Sequence, residues 1–289
     1  MSNQFLKSVS EKRLSSFRCG STLVELLVSI TILTIIMGSV IGLFYAIVLH
    51  FEQSDDITTA QQRGEMVTTL IQRNILNAGL GISGDVSVVF SGNPISAWGN
   101  SISTASVDKT LQVIYAMPSG AVLSSDLSVV AGTSVDISLD VAPSMLIDTN
   151  AADTGAWVTF PSSPLVAKVL QKHGSTSYRI EPRTTGHLYR LGELYHIRAM
   201  RAYVQDGSFF VEDVTLGTAK PIVEGIADVR FKLQGEDLSS WILARGNRRA
   251  DKTVSPAFFP EWSDEFGNIT SEDQHYRLKV IRTVWRVRN

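Results

Sequence analysis

Near its N-terminus the chain carries 24 consecutive residues without a charge, Leu26 to Leu49, preceded directly by one carboxylate, Glu25. As a helix rising 1.5 Å per residue, this run is ~36 Å long, enough to cross a hydrocarbon core of roughly 30 Å with some tilt. A carboxylate beside such a segment is costly. At a helix centre an acidic residue costs ~2.5–3.5 kcal/mol on insertion scales, and less toward the ends. The run belongs in a membrane, and Glu25 needs a reason to stand where it does.

The flanking residues narrow the choices. Residues 1–20 hold Lys7, Lys12, Arg13 and Arg18 against one acid, Glu11. The positive-inside rule keeps that side in the cytoplasm and sends the C-terminal mass across the membrane. A secretory signal has an apolar region of about 7–15 residues followed by a small-residue cleavage site. This run is longer, and the His50-Phe51-Glu52-Gln53 that follows offers no such site. A lipoprotein signal places its apolar segment before the cysteine, whereas Cys19, the chain's single cysteine, precedes the run. One cysteine also allows no intramolecular disulfide. A plain signal anchor fits the length but leaves Glu25 unexplained.

The stretch Gly20-Ser21-Thr22-Leu23-Val24-Glu25-Leu26-Leu27 resembles the processing site of type IV prepilins and of type II secretion pseudopilins. The resemblance implies that a prepilin peptidase cuts between Gly20 and Ser21 on the cytoplasmic face and methylates the new N-terminus at Ser21. Removing the leader, residues 1–20 of the 289, would leave 269. Glu25 would become the fifth residue of the mature chain. In that family the carboxylate attracts the terminal amine of a neighbouring subunit. A charge pair in low dielectric offsets its desolvation only when both partners are present. The chain departs from most members at one place, with Ser21 where Phe is usual.

Within the run, Gly38-Ser39-Val40-Ile41-Gly42 matches G-x-x-x-G, a spacing that lets two backbones approach closely in a membrane. The same glycines would be scattered small residues in any membrane helix, and each weakens it by about 1 kcal/mol relative to Ala. Residues 21–51 are therefore read as a transmembrane or filament-core helix. From 52 to 79 the helical pattern continues, with Ile57, Ala60, Gly64, Val67, Ile71 and Ala78 on one face, broken by Asn74. The two parts together predict one rod of roughly 55 residues, about 80 Å long.

The helix is expected to stop at Asn77-Ala78-Gly79. Gly79 to Gly84 match G-x-G-x-x-G, but a dinucleotide fingerprint follows a strand and opens a helix, and here the order is reversed. Glycine capping of the helix end accounts for it. Beyond lies a β-rich head, residues 80–289, so the fold class is α+β: a long N-terminal helix packed on a mostly antiparallel sheet. Period-two patterns predict strands at Val86–Phe90, Leu111–Met117, Val135–Val141, Trp157–Phe160, Ala167–Lys172 and Tyr178–Glu181. Leu194–Gln205 and Ser208–Val214 flank Asp206-Gly207, a two-residue hairpin signal. Residues 220–226 read as one helical turn before a strand at Ala227–Gln234, and 235–274 as an exposed loop. In the last strand, Tyr276–Val287, the apolar phase flips between Val280 and Ile281, which predicts a bulge there.

Two further segments resemble the PilW-like minor pilins: Asn74 to Gly79 at the helix end, and Pro221 to Phe231. That resemblance implies a minor pilin helping to initiate or cap a type IV pilus. Its partners would be the prepilin peptidase, the major pilin, other minor pilins and the inner-membrane assembly platform. A J-type pseudopilin of type II secretion has the same architecture and stays open beside it.

Catalytic constellations are missing from the sequence. His50, His173, His187, His196 and His275 have no metal spacing, and neither a G-x-S-x-G elbow nor a P-loop is present. The reading calls for no enzyme activity, metal or cofactor. Asp55-Asp56 reads as a solvated pair. A net charge of −2 gives no global argument for nucleic acid. One basic and aromatic cluster does stand out: Arg245, Arg248, Arg249 and Lys252, with Trp241, Phe258, Phe259 and Trp262. Phosphate contacts plus stacking would make it a DNA or partner surface, that of a DNA-binding or adhesive minor pilin, and the competing reading is a solvated loop with its aromatics tucked in.

Overall fold

The computed structural model describes residues 22–82, 87–90, 93–96, 102–105, 108–144, 156–163, 165–214, 218–262 and 266–287. Two compact units divide at Glu52 and Gln53. Helix α1, Leu23–Asn77, begins in the first and ends in the second. In the first unit nearly every side chain from Leu23 to Phe51 is exposed, as an apolar run without a protein core must be.

The second unit is the head. Its strands are β1 (Ser87–Phe90), β2 (Asn93–Ser96), β3 (Ile102–Ala105), β4 (Thr110–Val122), β5 (Leu127–Val129) and β6 (Val135–Ser138). There follow β7 (Trp157–Phe160), β8 (Leu165–Lys172), β9 (Ser177–Pro182), β10 (Gly186–Leu188), β11 (Glu193–Gln205) and β12 (Ser208–Asp213). The last four are β13 (Thr218–Glu224), β14 (Ile226–Gln234), β15 (Asp237–Arg249) and β16 (Tyr276–Arg286).

A nine-stranded antiparallel sheet is built around β11, which carries β4 along one edge and β7 and β12 end to end along the other. The β11–β12 turn is the one the sequence marks. Asp206 and Gly207 both take positive φ, 50° and 72°, closing Gln205 onto Ser208. A second, three-stranded sheet runs β14-β15-β16, and β1-β2 and β5-β10 are separate pairs.

From residue 53 on, α1 lies on both large sheets. Asp56, Ala60, Gly64, Val67, Ile71 and Ile75 are its buried residues, a spacing of three and four that follows one face of a 3.6-residue helix. They meet Leu111 and Val113 of β4, Phe209 of β12, Phe231 of β14, Ile242 of β15 and Trp285 of β16 in one core. Here the expected stripe needs correction. Ile57 is 43% exposed and Asp56, read as solvated, is 5% exposed. Asp56 accepts the backbone N–H of Arg248 at 3.3 Å, which gives the buried carboxylate a partner. Ile75 continues the stripe past Asn74, whose side chain accepts from the Tyr115 hydroxyl at 3.3 Å.

The helix ends through glycine, as its sequence indicates. Gly79 takes φ 75° and gives its N–H to the Ile114 carbonyl of β4 at 2.9 Å, tying the helix end to the sheet. Gly84 and Val86 lie outside the described residues, as do residues 1–21 and Arg288.

Three other expectations fail. Residues 220–226 form no helical turn, because Thr218–Glu224 is an edge strand paired with β12. Pro221 sits beside the register shift between Phe209 and Phe210, where a residue without an N–H is tolerated. Nor is 235–274 a loop throughout. Asp237–Arg249 is the middle strand of the three-stranded sheet, and Ser240 to Ala244 are all buried. With both faces covered, the period-two signal disappears. The same cover removes the predicted bulge at Val280. Pairing runs unbroken from Asp237↔Arg286 to Arg245↔Leu278, and the shift lies between Arg245 and Arg249 on β15. Leu278 and Val280 face an aromatic cluster on one side, while Ile281 and Trp285 face the helix on the other. The phase flip reports a change of covering layer.

Glycine sets how closely the helix approaches. A Cβ on Gly246 would lie 2.9 Å from the Asp56 Cβ and 3.0 Å from its backbone oxygen. Backbone cannot swing aside, so Gly246→Ala should cost about 1–3 kcal/mol as overpacking. Gly174, with open space around its Cβ position, is the control. Urea unfolding should show a lowered midpoint for Gly246→Ala and little change for Gly174→Ala; equal midpoints would contradict the packing argument.

Candidate functional site

The start of α1 is where the sequence concentrates its signal, and its geometry begins with Thr22. The Thr22 N–H donates to Glu25 Oε2 at 2.9 Å, and the Glu25 N–H donates to Thr22 Oγ1 at 3.3 Å. This reciprocal pair is a capping box, which satisfies two of the donors a helix N-terminus leaves unpaired. The carboxylate also sits where the helix dipole favours negative charge. Threonine three residues before glutamate, ahead of an apolar run, is the sequence signature of this arrangement. Thr22 is the residue that reading Glu25 as an assembly carboxylate alone overlooks.

The hydroxyls inside the apolar run turn inward on the helix. Ser29 Oγ donates to the Glu25 carbonyl at 2.7 Å, Thr31 Oγ1 to Leu27 at 2.8 Å, Thr34 Oγ1 to Thr31 at 2.8 Å and Ser39 Oγ to Ile35 at 3.0 Å. Each satisfies its own polar group within the segment, which is what a hydrocarbon environment demands. Gly38 and Gly42, four residues apart, have nothing within 4 Å of a Cβ position. They leave a shallow flat on one side of the helix. By length and composition this helix is long and apolar enough to cross a membrane. Gly20 and Ser21 lie outside the described residues.

Residues 16–41 match the family model of the prokaryotic N-terminal methylation motif. The chain carries a type IV prepilin-like signal. The match spans Arg18, the glycine, the capping box and the first two thirds of the apolar run, so prepilin-like applies to this segment. No curated protein and no solved structure matches the chain. The signal together with the apolar helix supports a pilin-like, membrane-anchored, structural protein.

The head places the basic and aromatic residues together, but largely occupied. Arg245 Nη1 meets Asp273 Oδ1 at 3.4 Å, and its guanidinium lies 4.9 Å from the Tyr276 ring centroid. Arg249 forks onto Glu272, Nε to Oε1 at 2.9 Å and Nη2 to Oε2 at 3.3 Å, which holds the Glu272 carboxyl below its ordinary value. Arg248 is exposed and gives its backbone N–H to Asp56. Lys252 is exposed in the loop beyond. Trp241 and Trp262 are buried against Leu243 and Leu278, with Phe259 packed beside them, while Phe258 is exposed. The rings of Trp241 and Trp262 are spent on the core and are closed to stacked bases.

The histidines do not converge. His173 faces Asp136, His187 faces Ser128 and His275 faces the Ala250 carbonyl. Among the described residues no group of three or more His, Cys, Asp or Glu could hold a metal ion. His196 stands apart. It is fully buried on β11, opposite Met117 and Val158, and among the described residues neither ring nitrogen has a hydrogen-bond partner. Burial, aided by the Arg198 charge, pushes its pKa from 6.5 down to about 4.

A lowered histidine pKa means that the unfolded chain binds the proton more readily than the folded one. The stabilisation is complete above pH 6.5 and is lost as pH falls through 6.5 toward about 4. The size is about 3.5 kcal/mol at 1.4 kcal/mol per pKa unit. Between pH 7.5 and 4.5 the urea midpoint of the natural protein should fall further than that of His196→Leu. Parallel losses in the two proteins would show that His196 is not the group responsible.

Proposed function

We propose that this protein is a minor type IV pilin of the PilW-like kind, which takes part in pilus assembly by initiating or capping the filament. One observation carries the reading: the prepilin-type motif at residues 16–41 leads directly into an exposed apolar helix. The precursor sits once across the inner membrane, with Lys7, Lys12, Arg13 and Arg18 in the cytoplasm and the β-rich head in the periplasm. The prepilin peptidase cuts between Gly20 and Ser21 and methylates Ser21. The assembly platform then lifts the subunit out of the bilayer beside the major pilin and other minor pilins. Gly38 and Gly42 give neighbouring helices a flat to pack on. The tract from Pro221 to Phe231, here an edge strand running into β14, supports the PilW-like assignment by its resemblance.

Glu25 serves twice in this scheme. It caps its own helix through Thr22, and it draws the terminal amine of a neighbouring subunit, a pairing whose strength comes from low dielectric. Both roles suit the segment's charge, and a substitution can separate them.

The same motif suits a J-type pseudopilin of type II secretion, the second reading. Deleting the gene and comparing twitching with protein secretion separates the two. A DNA-binding role is the weaker extension, since Arg245 and Arg249 are ion-paired and Trp241 and Trp262 are buried.

Gly20→Val should leave a precursor about 20 residues longer on a denaturing gel, the length of the leader; a product of mature size would refute the cut. Mass spectrometry of the mature N-terminus should report Ser21 carrying one methyl group. Glu25→Ala should be processed and inserted normally yet fall out of sheared filaments. Thr22→Ala weakens the cap by about 1 kcal/mol but keeps the carboxylate, so it should incorporate nearly normally. If Thr22→Ala is lost as completely as Glu25→Ala, the carboxylate acts through helix capping and the pairing role fails.

A further inference from the structure

A β-sheet edge presents a row of unpaired N–H and C=O groups, and folded proteins shorten, cover or interrupt such rows. Other edges of the two large sheets are closed in one of those ways. β13 has Pro221 among its residues, and β3 and β6 are four residues each. β14 gives its Phe231 N–H to the Asp108 carbonyl at 2.7 Å. β16 is different. It is an outer strand of the three-stranded sheet, 11 residues long, without proline or glycine.

The directions of its hydrogen bonds follow from the end of the strand. Val287 gives its N–H to the Glu236 carbonyl at 2.7 Å, and the pairing keeps one register from Arg286 to Leu278. Antiparallel ladders alternate, so the odd-numbered residues bond to β15, while the N–H and C=O of Arg282, Val284 and Arg286 point off the free edge. Among the described residues no other segment bonds to these groups. The loop after β15 is tied to the opposite end of the strand, where Ser255 Oγ donates to the Tyr276 carbonyl at 2.7 Å. Val284 is 52% exposed and the Arg286 side chain 81%.

Charge narrows what can pair there. β16 carries Arg277, Lys279, Arg282 and Arg286 and no acidic residue. Arg282, Val284 and Arg286 put their side chains on one face of the sheet, so an exposed valine stands between two cations. Arg282 lies over the Trp241 ring, 5.2 Å from its centroid, and Arg286 meets Glu236 at 2.9 Å. A second copy pairing antiparallel about Val284 would set Arg282 and Arg286 of the two chains against each other. Like charges directly opposite destabilise a strand pair. The cations therefore reject self-association and admit an acidic strand.

We infer that the free edge of β16 is a docking site for an extended acidic segment of another protein, which adds to the sheet as a strand. Backbone bonds to Arg282, Val284 and Arg286 hold it, and alternate side chains give specificity. The matching segment has an apolar residue opposite Val284 and a carboxylate two residues to either side, opposite Arg282 and Arg286.

The test uses the full chain in uncharged detergent and a fluorescein-labelled peptide with blocked ends, Thr-Glu-Thr-Val-Thr-Glu-Thr. Fluorescence anisotropy should report saturable binding. The same peptide N-methylated at its glutamates and valine keeps every charge but loses the N–H groups that face β16. It should bind at least tenfold more weakly, and so should a peptide with lysine for both glutamates. In the protein, Val284→Pro removes an outward N–H at an edge position, where proline is tolerated, and should weaken binding at least tenfold. Arg282→Gln, at an exposed side chain, should weaken it at least threefold and decides the matter if circular dichroism shows Val284→Pro unfolded. Absence of saturable binding, equal affinity of the N-methylated peptide, or affinity unchanged in the folded variants would overturn the inference. So would an oligothymidylate that binds as tightly as the peptide, because the edge would then be a polyanion surface.

Discussion

At Gly64 and Gly246 the helix and the three-stranded sheet meet with no room for a Cβ, Gly64 against Ile281 and Gly246 against Asp56. The rest of the head depends on that closeness. It brings the Asp56 carboxylate within reach of the Arg248 N–H. It lets Arg63 span from the helix to the Arg245 carbonyl at 2.7 Å and to the Asn247 side chain at 2.6 Å. The polar contacts lie at the edge of an apolar core that holds Val67, Ile71 and Ile75. Burial of those side chains, at about 1.5–3 kcal/mol each, supplies the stabilisation. The hydrogen bonds fix the register, since a slip of one residue would strand Asp56 in the core without a partner.

Much of this was readable from the sequence where one periodicity governed a segment. Helix α1 ends at Asn77 with Gly79 as its cap, Trp157–Phe160 is β7, and Asp206-Gly207 forms the hairpin. Those signals are local: a capping glycine, a short apolar run, two residues that accept positive φ. Failures came where tertiary cover overrode the pattern. β15 is buried on both faces from Ser240 to Ala244 and reads as neither alternating nor polar. β16 changes its covering layer midway and reads as though it were bulged. Asp56 was invisible as a buried residue because its partner is a backbone N–H 192 residues away.

The candidate site divides along the same line. Thr22, Glu25 and the serine and threonine back-bonds are sequence-local, and all of them are written in the first turns of the chain. The basic cluster needed the fold, because Asp273 and Glu272 approach Arg245 and Arg249 only when the last strand returns beside β15. Sequence shows where cations are. It does not show which are already neutralised.

The clasp at Asp56, Arg63 and Gly64 has a mechanical meaning. Moving from Asp56 to Gly64 along the helix, the contacted positions on the sheet run from Arg248 back to Arg245 on β15 and on to Ile281, which pairs with Ile242. Farther along, Asn74 meets the Tyr115 hydroxyl and Gly79 the Ile114 carbonyl, both on β4, so α1 is fastened to both large sheets at points spread along its length. Tension applied along the axis of α1 would be shared among several contacts at once. A helix held only at its tip would instead peel away one contact at a time.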